Sequence, residues 1–353
     1  MPFTPKQIRR ILSPDLIPAS RVPNRAMQVA ESYLKRRLFV WEDAGVKATM
    51  RLYQAAYRDL RETAASYAEQ LGITKLANDS KSQQFRRAYG DYVTRRLSLL
   101  TDAAAAEGLR RAVTAWYAGY YSRLWLLDVA TKADVHIPAN PPNAQQVARQ
   151  TLGRLDEAIR LREDVYDDLI RDLLGREWRT QYGENIDDLV LRIKRAISQG
   201  MTDGEGVPDI MRRVRGELGV STDRRSGYHA NFNRVQAITR TVINTASNNG
   251  AVAAYRANAD ILGGYEWLTA KDERVCGRCS SLDGTIFPLD STTRPPIHVG
   301  DRCTVLPVIK PEFMVTGEAP PSMTLGEWTA AKADVRALIQ DFISVRTLDS
   351  ERV

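Results

Sequence analysis

Cysteine is scarce in this chain and confined to one stretch: its three cysteines all fall between positions 276 and 303, so no disulfide framework can span the fold. Long uncharged apolar runs are missing as well. The most apolar window, Ala112 to Ala130, carries Arg123 and Asp128, each of which costs roughly 2.5–3.5 kcal/mol at the centre of a membrane helix on insertion scales. The window therefore reads as a buried helix, and no stable membrane span is expected. The N-terminus lacks a secretory apolar region, because Pro5, Pro14 and Pro18 punctuate what hydrophobicity it has, which points to a cytoplasmic start. With 22 Gly and 16 Pro in 353 residues, a collagenous or low-complexity chain is excluded. None of the three histidines forms an H-x-E ahead of the cysteines, which excludes the zinc deaminase arrangement. Charge of one sign is not in strong excess either. Fifty Lys+Arg against 43 Asp+Glu leave +7, enough to permit contact with an acidic surface and too little to name it.

What is present is helical periodicity. After a proline-punctuated arm at 1–23, residues 24–184 read as an elongated helical region with a hinge near 136–143, where three prolines and two asparagines follow His136 and Ile137. Val46, Met50, Tyr53, Tyr57, Leu60, Ala64, Tyr67 and Leu71 recur at steps of four and three until Gly72, the spacing of a narrow helix seam. An intramolecular antiparallel bundle explains this seam better than an intermolecular coiled coil, since its tyrosines lack the Ile/Leu choice that specifies an oligomer. Phe85, Tyr89 and Tyr92 open a second stripe that runs on into the Trp/Tyr-rich window. Farther on, Asn185 is expected to cap a helix ending at Gly200, and Val207, Ile210, Met211, Val214 and Leu218 define a second, shorter one. A long helix over 231–258 then leads through Gly263-Gly264 into a strand at Tyr265–Leu268.

Two groups of residues carry candidate chemistry. Arg212, Arg213, Arg215, Arg224, Arg225, Arg234 and Arg240 concentrate guanidinium forks that suit phosphate, and a solvated face with acidic neighbours explains them as well. Cys276, Cys279, His298 and Cys303 form C-x2-C-x18-H-x4-C, a set of soft and borderline donors that can close a tetrahedral shell around structural zinc. Three reduced cysteines in a hairpin-rich module, with His298 as a loop hydrogen-bonder, is the alternative. The Asp283-Gly284 turn predicts a hairpin between Cys279 and Ile286-Phe287.

The ordered series Arg240-Thr241, Trp267-x4-Asp272-x3-Cys276-x2-Cys279, Leu282-Asp-Gly284, Pro295-Pro-Ile-His298 and Arg302-Cys-Thr-Val305 resembles the Mu F-like minor head protein family of tailed bacteriophages, over about 185–310. The resemblance implies a non-enzymatic virion protein needed for head morphogenesis, assembled in the host cytoplasm and placed in the head interior or at the portal vertex. Portal and other head proteins are the implied partners, together with packaged double-stranded DNA. It implies a zinc motif at Cys276, Cys279, His298 and Cys303. Where many relatives have a further cysteine, this chain has Asp301, a candidate substitute ligand; where relatives often have Glu after the Arg-Thr pair, it has Val242. A DNA-binding or nuclease-like zinc protein is the competing class.

The expected fold is mainly α, with a small α+β zinc-stapled module at 265–307 inside a Mu F-like domain at 185–310. That domain is expected to stay folded when the chain before Asn185 is removed. A linker at 311–323 and a terminal helix at 324–345 complete the chain. Trp328, Val335, Leu338 and Phe342 give the terminal helix one apolar face, which either packs on the chain's own helical half or anchors into a neighbouring head protein.

Overall fold

The computed structural model describes residues 25–138, 142, 146–147, 178–218, 230–315 and 327–328. The expected arm, the linker beyond Val315, Arg224, Arg225, Val335, Leu338 and Phe342 lie outside the described residues, as do parts of the hinge and, apart from Glu327 and Trp328, the terminal helix.

The protein is mainly helical, with one small antiparallel sheet. Helix α1 (Arg25–Leu71) and helix α2 (Ser80–Ala130) form a long hairpin. At 1.5 Å per residue they are about 70 and 77 Å long. The turn between them is written in local chemistry. Gly72 takes φ +63, its N–H bonds to Glu69 O, and Ile73 N–H bonds to Ala68 O, the paired bonds of a Schellman ending. Asp79 then caps α2 by accepting from Ser82 N at 2.7 Å. The antiparallel direction shows in the pairings, since Tyr89 Oη donates to Leu60 O while Gly45 faces Arg111. Across this hairpin Asp59 accepts from both Tyr92 and Arg96.

The tyrosine-rich seam is intramolecular. Val46, Met50, Tyr53, Leu60 and Ala64 are buried, and Tyr57, Tyr67 and Leu71 pack beside them in a core shared with α2, helix α3 (Trp178–Thr202) and helix α4 (Val207–Glu217). Helix α3 departs from expectation at both ends. It is already helical at Trp178, so Asn185 is an interior residue, and it passes through Gly200 to Thr202. Gly200 is there because α4 comes close: a Cβ would stand 2.4 Å from Ile210 Cγ1. The ending falls instead at Gly204, with φ +68, and Glu205 N–H bonding to Gly200 O.

A second core gathers the far half of α2, helix α5 (Ala230–Ala257) and the sheet. Residues 119–127 of α2 are buried without interruption, which explains the apolar window as a central helix; no described helix is long and apolar enough to cross a membrane. The sheet has the order β2-β1-β3, with β1 at Leu262–Leu268, β2 at Ile286–Phe287 and β3 at Thr304–Ile309. Trp267 pairs with Val305 and Tyr265 with Phe287, and both Trp267 and Tyr265 are fully buried. The Asp283-Gly284 turn does not join two strands, as the sequence pattern suggested. It joins the short helix α6 (Gly277–Leu282) to β2, and holds β2 on β1 through Gly284 N–H to Trp267 O and Trp267 N–H to Thr285 O.

Helix α2 thus contributes to both cores, and the position near 185 does not divide them. Trp116, Tyr120, Leu124 and Leu127 share one core with α5 and the sheet, so a chain starting at Asn185 would lack these α2 side chains. Trp328 belongs to the same core. It is 1 % exposed and its indole N–H donates to Asp128 Oδ2 at 2.7 Å, which is the intramolecular of the two packings considered for it.

The tightest packing lies where α2 crosses α5. A Cβ on Gly119 would stand 2.2 Å from Ser247 O, and one on Gly250 would stand 2.1 Å from Trp116 O. Both obstacles are backbone, which cannot rotate away. Gly119→Ala and Gly250→Ala are each expected to destabilise the fold by about 3 kcal/mol or more, at or above the upper end of overpacking costs. Equilibrium urea unfolding of each variant measures this, and an unchanged midpoint would contradict the crossing.

Candidate metal centre

The metal-type donors converge at one edge of the sheet. Cys276 caps α6, its Sγ accepting from Cys279 N at 3.4 Å, so the C-x2-C pair sits on the first turn of that helix with both sulfurs on one side. The segment from Ile297 to Cys303 returns to it. His298 Nε2 lies 3.2 Å from Cys276 Sγ and 3.2 Å from Cys279 Sγ. His298 Nδ1 lies 2.9 Å from Val299 O. A carbonyl can only accept, so Nδ1 carries a proton, and Nε2 is the ring nitrogen turned toward the two sulfurs, as in histidine ligands oriented by a backbone partner.

Cys303 joins through a second triad. Donor atoms of Cys276, Cys279 and His298 lie within 4.8 Å of one another, and so do those of Cys279, Asp301 and Cys303. Cys279 is common to both. Asp301 is buried, and its carboxylate is already used: Oδ2 accepts from Ile297 N at 3.0 Å and Oδ1 from Cys303 N at 2.7 Å. Its evident work is to shape the loop that presents His298 and Cys303. Hydrogen bonding with Cys303, burial and the adjacent Asp301 charge push the Cys279 thiol above its ordinary range. Crowding of this kind disfavours thiolates until a cation sits among them, when the preference reverses. The Cys276, Cys279 and His298 donors fit such an ion: in a tetrahedral zinc site, Zn–S and Zn–N bonds of about 2.3 and 2.0 Å place S and N roughly 3.5 Å apart, close to the 3.2 Å separations here.

Helix α5 positions the returning loop with a face that the sequence reading passed over. Asn244 Nδ2 donates to Asp301 O at 2.8 Å and to Cys303 O at 3.3 Å. Asn248 Nδ2 donates to Cys303 O at 3.2 Å, and its Oδ1 accepts from Thr304 Oγ1 at 3.1 Å. One turn earlier Thr241 Oγ1 accepts from Gly300 N. The legible sign was a set of poor helix formers at 241, 244 and 248, spaced three and four apart inside an apolar helix. From the other side Arg123, 5 % exposed on α2, donates from Nη2 to Thr304 Oγ1 at 2.9 Å. Among the described residues the other histidine, His136, is held through its backbone, which exchanges hydrogen bonds with the Asn258 side chain.

Among the described residues, the arginines of this group have separate surroundings. Arg212 pairs with Asp209, and Arg213 with Asp203 and Glu205. Arg215 is half-buried on α4, and Arg234 lies in α5. Arg240 sits instead near Glu42, with its Nε buried. Arg302 forms a two-pronged pair with Asp272, both distances 2.5 Å.

Among known proteins, residues 191–306 match the family model described as Phage Mu protein F like protein. Nothing among curated proteins or solved structures matches the chain. The matched segment contains Cys276, Cys279, His298, Asp301 and Cys303 together with the α5 residues that position their loop.

Glu42 yields a test of the surrounding electrostatics. It is 2 % exposed, and burial raises its carboxyl from 4.5 to about 7 in spite of Arg240 and Arg302, which lower it. Below about pH 4.5 folded and unfolded chains both hold the proton. Between there and pH 7 only the folded chain keeps it, so stability falls as pH rises, by about 3 kcal/mol in total. Glu42→Gln should therefore unfold at higher urea than the native chain at pH 8, with the advantage shrinking toward pH 5. An equal advantage at both pH values would show that Glu42 is not the titrating group.

Proposed function

We propose that this chain, a Mu F-like protein over residues 191–306, is a minor head protein of a tailed phage that acts in head morphogenesis without catalysing a reaction. In this reading Cys276, Cys279, His298 and Cys303 hold one structural zinc ion. The observation that carries it is the meeting of the C-x2-C sulfurs with an oriented His298 inside the matched segment. Four protein donors leave no open position for water, which suits a structural ion and not a hydrolytic one. The competing DNA-processing reading needs that open position.

Zinc, when bound, supplies a cross-link between α6 and the 297–303 loop. Three thiolates and one imidazole around a divalent ion carry one net negative charge. Arg302, whose guanidinium is held protonated first by its hydrogen bonds to Asp272, is the chain neighbour of Cys303 and the cation next to that charge in sequence. Asp301 stays a loop-shaping carboxylate. Portal and other head proteins are the proposed partners, placing the protein in the head interior or at the portal vertex beside packaged DNA. With Trp328 engaged on its own chain, docking is assigned to the exposed faces of the α1–α2 hairpin.

Elemental analysis of the natively purified chain is expected to find about one zinc per molecule, the content of a single closed site. Cys276→Ser should lower it and bring down the unfolding midpoint, because the binding energy of a structural zinc is folding energy. Native protein without stoichiometric metal would overturn the zinc assignment. The head role is tested separately in the phage that encodes the chain: mass spectrometry of purified heads should find it at low copy beside the major shell protein. Its absence from heads would overturn that role.

A further inference from the structure

Helix α3 is flanked by two concave surfaces that differ in charge balance. On its α4 side is a cleft of about 750 Å³ lined by Arg192, Arg195, Arg212 and Arg213 together with Glu205, Asp209 and Glu217. Charge there is largely matched: Arg192 pairs with Asp188 and Glu217, Arg212 with Asp209, and Arg213 with Asp203 and Glu205. On its α2 side is a smaller cleft, of about 250 Å³, lined by Arg86, Arg87, Lys194, Asp91 and Gly90. Three cations face one carboxylate, and none of the three is within ion-pair distance of an acid among the described residues. Asp91, one turn from Arg87, pairs with none of them.

Gly90 adds an independent observation. A glycine in the middle of a helix weakens it, and elsewhere in this fold close packing explains the choice, as at Gly119, Gly200 and Gly250. At Gly90 the nearest atom to an added Cβ is Lys194 Cε at 3.7 Å, an ordinary contact. Packing does not exclude a side chain here; a side chain would instead occupy the floor of the cleft beneath Lys194.

We propose that the α2–α3 cleft is an oxyanion site for a phosphoryl group, held by Arg86, Arg87 and Lys194. The excess of two positive charges suits phosphate better than a single carboxylate, and the planar forks of two adjacent arginines can each give paired hydrogen bonds to its oxygens. The volume is below the roughly 300 Å³ at which pockets begin to enclose an organic ligand. The cleft therefore takes a small group, either free phosphate or a phosphate presented by a nucleic-acid backbone. The site is separate from the metal centre and does not depend on what that centre binds.

The test uses the full chain, the triple variant Arg86→Gln/Arg87→Gln/Lys194→Gln, and Arg212→Gln/Arg213→Gln as a control from the opposite cleft, after matched metal contents are confirmed. One arm follows the fluorescence anisotropy of a labelled 30-base-pair duplex across salt concentrations; the other follows the thermal midpoint in millimolar inorganic phosphate. Duplex binding that the triple variant weakens at least tenfold and the control does not, with the log–log salt slope falling by about 3 for three lost contacts, supports a backbone phosphate. A midpoint raised by phosphate in the native chain and not in the triple variant, without duplex binding, supports the free oxyanion. The proposal is overturned if neither probe engages the native chain, or if the triple and control variants respond alike.

Discussion

Everything near the donor cluster depends on how closely α2 and α5 approach at Gly119 and Gly250. With no side chain at either position, the backbones meet at Ser247 and Trp116. That distance sets the depth of α5 against the central helix, and so the position of its adjoining face, where Thr241, Asn244 and Asn248 hold the loop bearing His298 and Cys303. A larger residue at the crossing would shift the asparagines away from carbonyls they reach at about 3 Å, beyond which a hydrogen bond weakens steeply. The metal-type cluster is thus positioned from the helical half of the chain, although no ligand comes from it.

Much of this was legible because it rests on local rules. Gly72 ended α1, the four-three seam chose the buried face, and Tyr265–Leu268 alternated as a strand does. The spacing of Cys276, Cys279, His298 and Cys303 named the cluster. What could not be read depended on a neighbour. Gly200 looked like a helix end and is instead a close approach to Ile210. Asp283-Gly284 looked like a hairpin turn and instead follows a helix, because Cys276 caps α6 and starts it there. Asp301 was read as a possible substitute ligand; its donor atoms do lie beside those of Cys279 and Cys303, and its two oxygens also accept from the Ile297 and Cys303 amides, which the spacing did not show. Each motif was seen at the right place; its role was decided by partners that residue spacing alone does not show.

The polar groups inside the second core follow a division of labour. Asn244, Asn248 and Thr304 satisfy one another and the Cys303 carbonyl, so their burial is repaid in hydrogen bonds. Glu42 is different, with Oε1 lacking a partner and a carboxyl raised to about 7. The arginines at 240 and 302 that would favour its charged form are outweighed by desolvation, since taking a carboxylate out of water costs more than attraction across intervening protein returns.

A sheet of three strands, one of them only the two residues Ile286 and Phe287, is near the lower limit of what strand pairing sustains without support. Support comes from two directions. Helix α5 covers one side, with Tyr255 donating to Val305 O at 3.2 Å. At the edge, residues 288–303 have little regular structure and must be returned to α6 against the entropy of closing that stretch of chain. Hydrogen bonds from Thr241 and the asparagines fix the end of the loop, yet they bind it to α5 and not to α6. A shared ion among Cys276, Cys279, His298 and Cys303 would join α6 to the same loop and close the remaining gap in the circuit from α5 through the loop and α6 to the sheet. A structural cross-link at this point would give the soft donor set a role in the fold itself.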